Sequence, residues 1–358
     1  MRDRVGAQRR TAGRRCTPAE LVLTASPAGV PRNLGRSLSL RIPRTSERTN
    51  LNLCVIVDNP ETTTHPVIAV VLHQLRARHT LRLLDVLGLT GPAAIAREAA
   101  HAPADLYLLK SHAQQALELA YHLEQRGAMV VNPWAAAVAC WDRLLMTERM
   151  RQAHLPWPQT WSFATPGHLL AQLDLLVALP FPLMLKSRYS RRGDLVAKLL
   201  DVDQLQALAG PGGEPWHQEP IIVQEFAASD GWEIRLSVID EELFATRRRS
   251  PLDVEASRED RAPTAVDLRD EWARLAREVG RVFNLRVYAL DLLLTERGPL
   301  VIDVDVFPGF RDVPGADRAL VALVDRLAGT SRTRTIASGR EPAGRESGSA
   351  PWYRRCRR

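Results

Sequence analysis

The sequence predicts two kinds of architecture in one chain: a small parallel α/β domain, followed by a larger α+β region with antiparallel sheets. Between residues 51 and 132, short apolar runs alternate with segments of helical spacing, which is typical of strand–helix–strand units. After residue 155, apolar runs are paired across short polar turns, which is typical of β-hairpins. The change of pattern predicts a domain boundary near residue 132.

The first domain begins with LNLCVIVDN from residue 51, an uninterrupted apolar run of the kind found in strands buried on both faces. The predicted elements that follow are a helix in HPVIAVVLHQLRAR, strands in LRLLDVL and ADLYLLKS, a helix in HAQQALELAYHLEQRG and a strand in AMVVNP. Gly127 lies just past the second helix, where glycine commonly ends helices. The domain has no GxGxxG motif, so it is not predicted to bind a dinucleotide.

The second region opens with a predicted helix over residues 134–154, and TPGHLLAQLDLLVA predicts another helix capped by Thr165. Strands are predicted in PWPQTWSF, FPLMLKSR, DLVAKLL and PIIVQEFAA. A hairpin that turns around residues 240–242 is predicted in WEIRLSVIDEELFATRRRS. An amphipathic helix is predicted over residues 267–283, and a second hairpin, which turns at residues 297–298, in VYALDLLLTERGPLVIDVDVF.

Charge is unevenly distributed along the 358 residues. Residues 1–50 carry +8 and residues 331–358 carry +6, so a chain of net charge +7 has a middle of −7. The arginine-rich ends, 1–50 and 329–358, lack periodic apolar residues and are predicted to be disordered. They also lack interleaved aromatic residues and any nucleic-acid-binding motif, so no nucleic-acid partner is expected.

Cysteine spacing and hydropathy exclude several classes of protein. The four cysteines are far apart and form no CxxC pair, which argues against a zinc site or a disulfide framework and favours the cytoplasm. No uncharged apolar stretch approaches 18 residues, so no membrane span is expected. The N-terminal segment has no apolar core before a cleavage site, so no secretory signal is expected.

The stretch GPLVIDVDVFPGF places two carboxylates in a strand that starts as a buried one. Asp303 and Asp305 are two positions apart, so they point to the same face and repel each other unless a cation lies between them. Asp291, on the preceding strand of the hairpin, is predicted to face them. Three carboxylates on a rigid sheet suit a hard cation, and we expect one or two Mg²⁺ ions, or Mn²⁺, carried in with a nucleotide.

Positive residues near these strands could meet the phosphates of that nucleotide. Lys186 ends a strand, and the SRYSRRGDLVAK segment after it could fold over phosphates, although it is not a GxxxxGK[ST] loop. Strand alternation places Arg247 and Arg249 on one face, and Arg235 could share that surface.

The order of these segments over residues 132–325 resembles the ATP-grasp superfamily, and most closely its RimK-like carboxylate–amine ligase branch. The resemblance rests on NPWAAAVACWDRLLMTERMRQAHLPWPQTW, FPLMLKSRYSRRGDLV, IIVQEFAASDGWEIRLSVI and YALDLLLTERGPLVIDVDVFPGFRDVPGA. It implies a pre-ATP-grasp domain over 51–132 and an ATP-grasp domain over 133–328, with a central lobe at about 155–228 and a C-terminal lobe at about 229–328.

The resemblance also implies roles for individual residues. Asp291, Asp303 and Asp305 would bind Mg²⁺, and Lys186 and Arg143 would contact the ATP phosphates. Gln224, Glu225, Phe226 and Ala227 would form the adenine hinge, with backbone groups of Glu225 and Ala227 reading the base. Glu233 would hold the ribose, with Asp230 as an alternative. Arg235 and Arg249 would meet the phosphate or the acyl-phosphate intermediate.

Three positions depart from the pattern of the branch. Arg143 stands where its first ATP lysine is expected, and Asp303-x-Asp305 replaces Glu-x-Asn. The second change adds a negative charge and shortens the first ligand, which could raise metal affinity and shift its geometry. The loop 187–193 has one glycine and three arginines, so it is stiffer and more basic than usual.

The activity implied is ATP-dependent amide formation between a small-molecule or peptide carboxylate and an amine, through an acyl phosphate, with release of ADP and phosphate. Two alternatives remain open. A kinase resembling inositol phosphate kinases would suit the basic residues Arg188, Arg191 and Arg192, and a nucleotide-binding protein without turnover would suit the departures at Arg143 and Asp305. Residues 250–266 are expected to gate the acceptor, whose identity the sequence leaves open, and a homo-oligomer is equally open.

Overall fold

The computed structural model describes residues 50–101, 103–190, 195–210, 216–250, 257 and 259–337. The disorder predicted for the two basic ends concerns residues that lie largely outside these ranges.

The first domain is the predicted parallel α/β unit, with strand order β2-β1-β3-β4. Its elements are β1 (Asn52–Val57), α1 (Pro66–Arg76), β2 (Thr80–Asp85), α2 (Pro92–His101), β3 (Leu106–Leu109), α3 (Gln114–Gln125) and β4 (Val130–Val131), with a 3₁₀ turn at Pro60–Thr64. The α2 helix was not predicted. Only Ile95 and Ala99 of this alanine-rich segment are buried, so its apolar periodicity is weak.

The predicted helix over 134–154 is wrong in one respect, because it is two helices: α4 (Trp134–Trp141) and α5 (Arg143–Gln152). Between them Asp142 has an extended backbone, and its carboxylate accepts a 3.0 Å hydrogen bond from the Leu144 amide as the cap of α5. The same carboxylate accepts hydrogen bonds from the side chain of Arg188, two positions after Lys186. The break between the two helices therefore places the Asp142 carboxylate where it can bind Arg188.

The central lobe contains β5 (Thr160–Phe163), α6 (Pro166–Leu170), α7 (Leu173–Ala178), β6 (Leu183–Ser187), β7 (Val196–Leu199), α8 (Val202–Ala209) and β8 (Ile221–Glu225), with a 3₁₀ turn at Trp216–Gln218. Its sheet is antiparallel, in the order β5-β8-β6-β7. Thr165 caps α6 as predicted, by accepting from the His168 amide, but the predicted single helix is again broken in two.

The C-terminal lobe contains both predicted hairpins. Its elements are β9 (Trp232–Ile239), β10 (Glu242–Arg249), β11 (Thr264–Ala265), α9 (Asp270–Phe283), β12 (Val287–Thr295), β13 (Gly298–Val306) and α10 (Ala316–Ala337). Its sheet is antiparallel in the order β11-β10-β9-β12-β13, so the two hairpins join through β9 and β12. The α10 helix was not predicted, and it runs to Ala337, so the prediction of a disordered tail from residue 329 is wrong for 329–337.

Two hydrophobic cores determine where a cleft can form. The first domain and the C-terminal lobe share one core, whereas the central lobe packs around a core of its own. Asn132, which is fully buried, joins the first two: its amide donates to the Val287 carbonyl (2.6 Å) and accepts from the Arg286 and Val287 amides. Among the described residues, no helix is long and apolar enough to cross a membrane.

Candidate active site

A cavity of about 460 Å³ lies between the central-lobe sheet and the C-terminal sheet. Nine of the twelve predicted site residues line it: Arg143, Lys186, Gln224, Glu225, Phe226, Ala227, Glu233, Asp291 and Asp303. These residues come from both lobes and from the start of α5. The cavity therefore brings together groups that are more than 100 positions apart in the chain.

One part of the cavity is apolar and suits a flat ring. Met184, Val196, Leu293 and Ile302 contribute aliphatic walls. The ammonium group of Lys198 lies 3.9 Å from the ring centroid of Phe226. Lys198 was not among the predicted site residues, although strand alternation from Val196 places both side chains on the same face of β7.

The hinge at the end of β8 is held by hydrogen bonds around it. The Glu225 amide donates to the Gln159 carbonyl (2.9 Å), and the Gln224 side chain donates to the Thr160 hydroxyl (3.0 Å). The Glu225 carboxylate accepts from Arg297 at 2.6 Å. Since the Glu225 amide is committed, an adenine edge would have to meet the Glu225 carbonyl and the Ala227 amide.

Lys186 is buried on β6 and donates a 3.1 Å hydrogen bond to the Ile302 carbonyl in the other lobe. Burial lowers its pKa to about 8, against the attraction of Asp303, which raises it, and Arg143 lowers the pKa further. No ion pair joins this ammonium to a carboxylate of the described residues, so it is suited to an incoming anion.

Arg143 connects the start of α5 to both lobes. Its guanidinium donates to the Ser187 carbonyl at 2.9 Å and lies 3.4 Å from the Asp303 carboxylate. The segment that follows Lys186 is fixed against the same helix junction: Arg188 binds both oxygens of Asp142 (2.9 and 2.7 Å), and the Tyr189 ring stacks on Trp141. Arg191 and Arg192, which favoured the kinase alternative, lie outside the described residues.

Glu233 faces the cavity, but its carboxylate already has partners. It accepts from the Arg248 guanidinium at 3.0 and 3.2 Å and from the Ser250 hydroxyl at 2.8 Å. Arg248 lines the cavity and was missed by the sequence analysis. The hairpin register could have identified it, because Arg248 pairs directly with Glu233 and paired residues share a face.

Arg249 is not among the residues that line the cavity, so its placement does not support the predicted contact with phosphate. Its guanidinium lies 4.5 Å from the ring centroid of Trp232 and donates to the Asp230 carbonyl at 2.7 Å. The predicted alternation of Arg247 and Arg249 is correct, since both lie over Trp232, but the face that they share points away from the cavity. Asp230, the alternative ribose contact, is also outside the lining.

The three aspartates lie on neighbouring strands as predicted. Asp291 on β12 pairs with Asp303 on β13, and a bulge follows Asp291. Arg235 on β9 pairs with Asp291 from the other side, and its guanidinium binds Asp291 (2.9 Å) and Asp305 (2.6 Å). Burial opposes ionisation of Asp303, but the charges of Arg143 and Lys186 outweigh it and hold the pKa of Asp303 below its usual value.

Comparison with known proteins identifies this arrangement. Residues 142–319 match the RimK-like ATP-grasp domain family. The chain contains a RimK-like ATP-grasp domain. The match begins at Asp142, which caps α5, and ends within α10, so it contains every predicted site residue.

The relatives of this ATP-grasp protein agree in fold. A probable alpha-L-glutamate ligase of Aliivibrio fischeri is 27% identical over 225 residues, which cover 60% of this chain and 73% of that protein. The RimK domain ATP-grasp protein of Sphaerobacter thermophilus superposes with a TM-score of 0.61 at 20% identity, over 77% of this chain and 98% of that one. The D-alanine–D-alanine ligase of Bacillus anthracis, solved with ATP, gives 0.60 at 17% identity, over 81% and 100%. The predicted family and fold class are thus confirmed.

Asp291 and Asp303 fit a magnesium ion only if substrate phosphates complete its ligand set. Among the described residues, no group of three or more acidic, histidine or cysteine side chains is arranged to hold a metal by itself. Asp291 and Asp303 do line the cavity and pair across the ladder, whereas Asp305 is outside the lining. One or two carboxylates completed by substrate phosphates is the ligand set that Mg²⁺ commonly takes. The site therefore fits an ion that arrives with a nucleotide.

Proposed function

We propose that this ATP-grasp protein is an ATP- and Mg²⁺-dependent ligase that joins a carboxylate to an amine through an acyl phosphate, releasing ADP and phosphate. The proposal rests on the cavity between the two lobes, which Lys186, Arg143 and Asp303 line together. The Arg143 guanidinium lies 3.4 Å from the Asp303 carboxylate, and the charge of Lys186 interacts with the same carboxylate. Cations and carboxylates facing each other across an otherwise apolar cleft suit a nucleotide whose phosphates carry a divalent ion. The ligase names of the relatives support the same class.

In the first step, an oxygen of the substrate carboxylate attacks the γ-phosphorus of ATP, and the bond to the bridging oxygen breaks to release ADP. Lys186 and Arg143 neutralise charge on the transferring phosphoryl group. Mg²⁺ bound by Asp291 and Asp303 would supply further charge neutralisation. In the second step the amine nitrogen attacks the acyl carbon, the C–O bond to the phosphate breaks so that phosphate leaves with its electrons, and the nitrogen releases one proton to solvent.

The nucleotide would lie with its base in the apolar part of the cavity, against Phe226 and Met184, and with its ribose near Glu233. Positioning of this kind lowers the entropic barrier to in-line transfer, and no side-chain nucleophile is required. An acidic α-amino acid is the first amine that we would test, because the relative from Aliivibrio fischeri is named as a glutamate ligase.

The test is phosphate release by the full chain with ATP and Mg²⁺, over a matrix of carboxylates and amines. A ligase releases phosphate only when both substrates are present and forms an amide visible by mass spectrometry. A phosphorylated product without free phosphate would instead indicate a kinase, and ATP binding without turnover would indicate a binding protein.

Matched variants tie the activity to the cavity. Asp303→Asn removes a carboxylate that lines the cavity, and we expect it to lower kcat by about 10²-fold or more. Arg249→Met, outside the lining, should retain the activity. Equal loss in both variants would contradict the assignment of the cavity as the reaction site.

A further inference from the structure

Arg235 is placed among the carboxylates where a cation is expected. One nitrogen of its guanidinium lies 2.9 Å from each oxygen of Asp291, and the other lies 2.6 Å from Asp305. This follows from the sheet order, because β9 pairs with β12 and β12 pairs with β13. A single side chain thus joins an aspartate on each strand of the second hairpin.

The three aspartates are divided by their partners. Asp303 lies on the cavity side, 3.4 Å from Arg143, while Asp305 is bound by Arg235 and is outside the cavity lining. Asp291 belongs to both groups, since it lines the cavity and also binds Arg235. The pair available to an ion in the cavity is therefore Asp291 with Asp303.

Electrostatics favours keeping Arg235 and Asp305 together. The guanidinium lies 2.9 Å from the Asp291 carboxylate and 2.6 Å from the Asp305 carboxylate, so it makes a charge-assisted hydrogen bond to each. If Asp305 turned away to bind a metal, the partly buried guanidinium would lose one of the two carboxylates that it contacts among the described residues, which is a costly change.

We propose that the guanidinium of Arg235 takes the place of a second divalent cation, so that the site uses one Mg²⁺ with Asp291 and Asp303, and Asp305 is a positioning residue for Arg235. The inference rests on the proposed use of MgATP, and it decides between the one and two ions that the sequence left open. Asp305 would hold Arg235 in position through an ion pair, which a neutral side chain at this position could not form.

Manganese counting on the full chain tests this inference. Bound Mn²⁺ is measured by electron paramagnetic resonance at saturating β,γ-imido-ATP, and nucleotide occupancy is measured in parallel. We expect one Mn²⁺ per bound nucleotide in the native chain and in Asp305→Ala. Asp303→Asn should weaken Mn²⁺ binding by about tenfold or more, as loss of a ligand does.

Kinetics separate positioning from a general structural role. Asp305→Ala should lower kcat while the KM for ATP stays within about twofold, and Asp305→Asn, which can still accept from Arg235, should recover part of kcat. Two Mn²⁺ per nucleotide in the native chain, or fewer Mn²⁺ in Asp305→Ala than in the native chain, would overturn the inference while leaving the proposed function intact. Failure of the native chain to bind nucleotide would overturn both.

Discussion

Two adjacent arginines on β10 offer a sharp test of which face of the sheet binds nucleotide. Arg248 pairs with Glu233 and lines the cavity, whereas Arg249 pairs with Trp232 and is outside the lining. We expect Arg248→Met to weaken MgATP binding and Arg249→Met to leave it unchanged. The two variants remove the same charge from neighbouring positions, so each controls for net charge.

The size of the effect is that of one hydrogen bond from the Arg248 guanidinium to an anionic group of the nucleotide. The Arg248 side chain is 34% exposed, and that of its neighbour Glu233 is 9% exposed, so this part of the cavity is partly desolvated. A hydrogen bond to a charged group contributes about 1.5–3 kcal/mol, and the exposure of Arg248 favours the lower end of that range. A loss of about 1.5 kcal/mol corresponds to roughly tenfold weaker binding.

Isothermal titration calorimetry of MgATP against the two full-length variants measures this difference, and melting curves verify that both are folded. Removal of Arg249 should lower stability through loss of its cation–π contact with Trp232, about 0.5–1 kcal/mol, and of its hydrogen bond to the Asp230 carbonyl, about 0.5–1.5 kcal/mol. An equal or larger loss of ATP affinity in Arg249→Met than in Arg248→Met would refute the assignment of faces.

Three further outcomes are expected. Lys186→Met should weaken MgATP binding about tenfold or more. The pKa of Lys186 is about 8 in the folded protein against 10.5 in the unfolded chain, so its charge destabilises the apo protein fully below pH 8 and no longer does so above about pH 10.5. The denaturant midpoint of the variant should therefore exceed that of the native chain below pH 8, and this difference should shrink as the pH rises from 8 to 10.5. Asp142→Ala removes both the α5 cap and the Arg188 pair, and should lower the unfolding free energy by about 1–2 kcal/mol and raise the KM for ATP, whereas Asp142→Asn should retain most of the cap. Gly280→Ala would make a Cβ overlap the buried Tyr288 hydroxyl and should cost about 1–3 kcal/mol in a melt, with KM unchanged.

Local patterns were sufficient for much of the fold. The apolar runs of the first domain became β1, β2, β3 and β4, and both hairpins turn where their polar residues predicted. Hairpin register is also local, because pairing counted back from the turn at Asp240 sets Glu233 opposite Arg248. Counting from this turn also places Arg249 on the face opposite to Glu233, which the predicted role of Arg249 did not take into account.

Other features depended on contacts that no local pattern contains. The break between α4 and α5 is stabilised by Arg188, 46 positions after Asp142, and apolar spacing alone predicts a continuous helix through it. The α2 helix buries only two residues, and the sharing of one core by the first domain and the C-terminal lobe emerges only from their packing.

The sequence by itself determined that three aspartates would lie together on one hairpin, because side chains alternate along a strand and a short turn sets the pairing. Tertiary structure decided what each aspartate does. Arg143 reaches Asp303 across 160 positions, and Arg235 reaches Asp305 across 70. Which carboxylate meets which cation depends on how separate elements pack, because charge–charge energies depend on distance in space and not on separation along the chain.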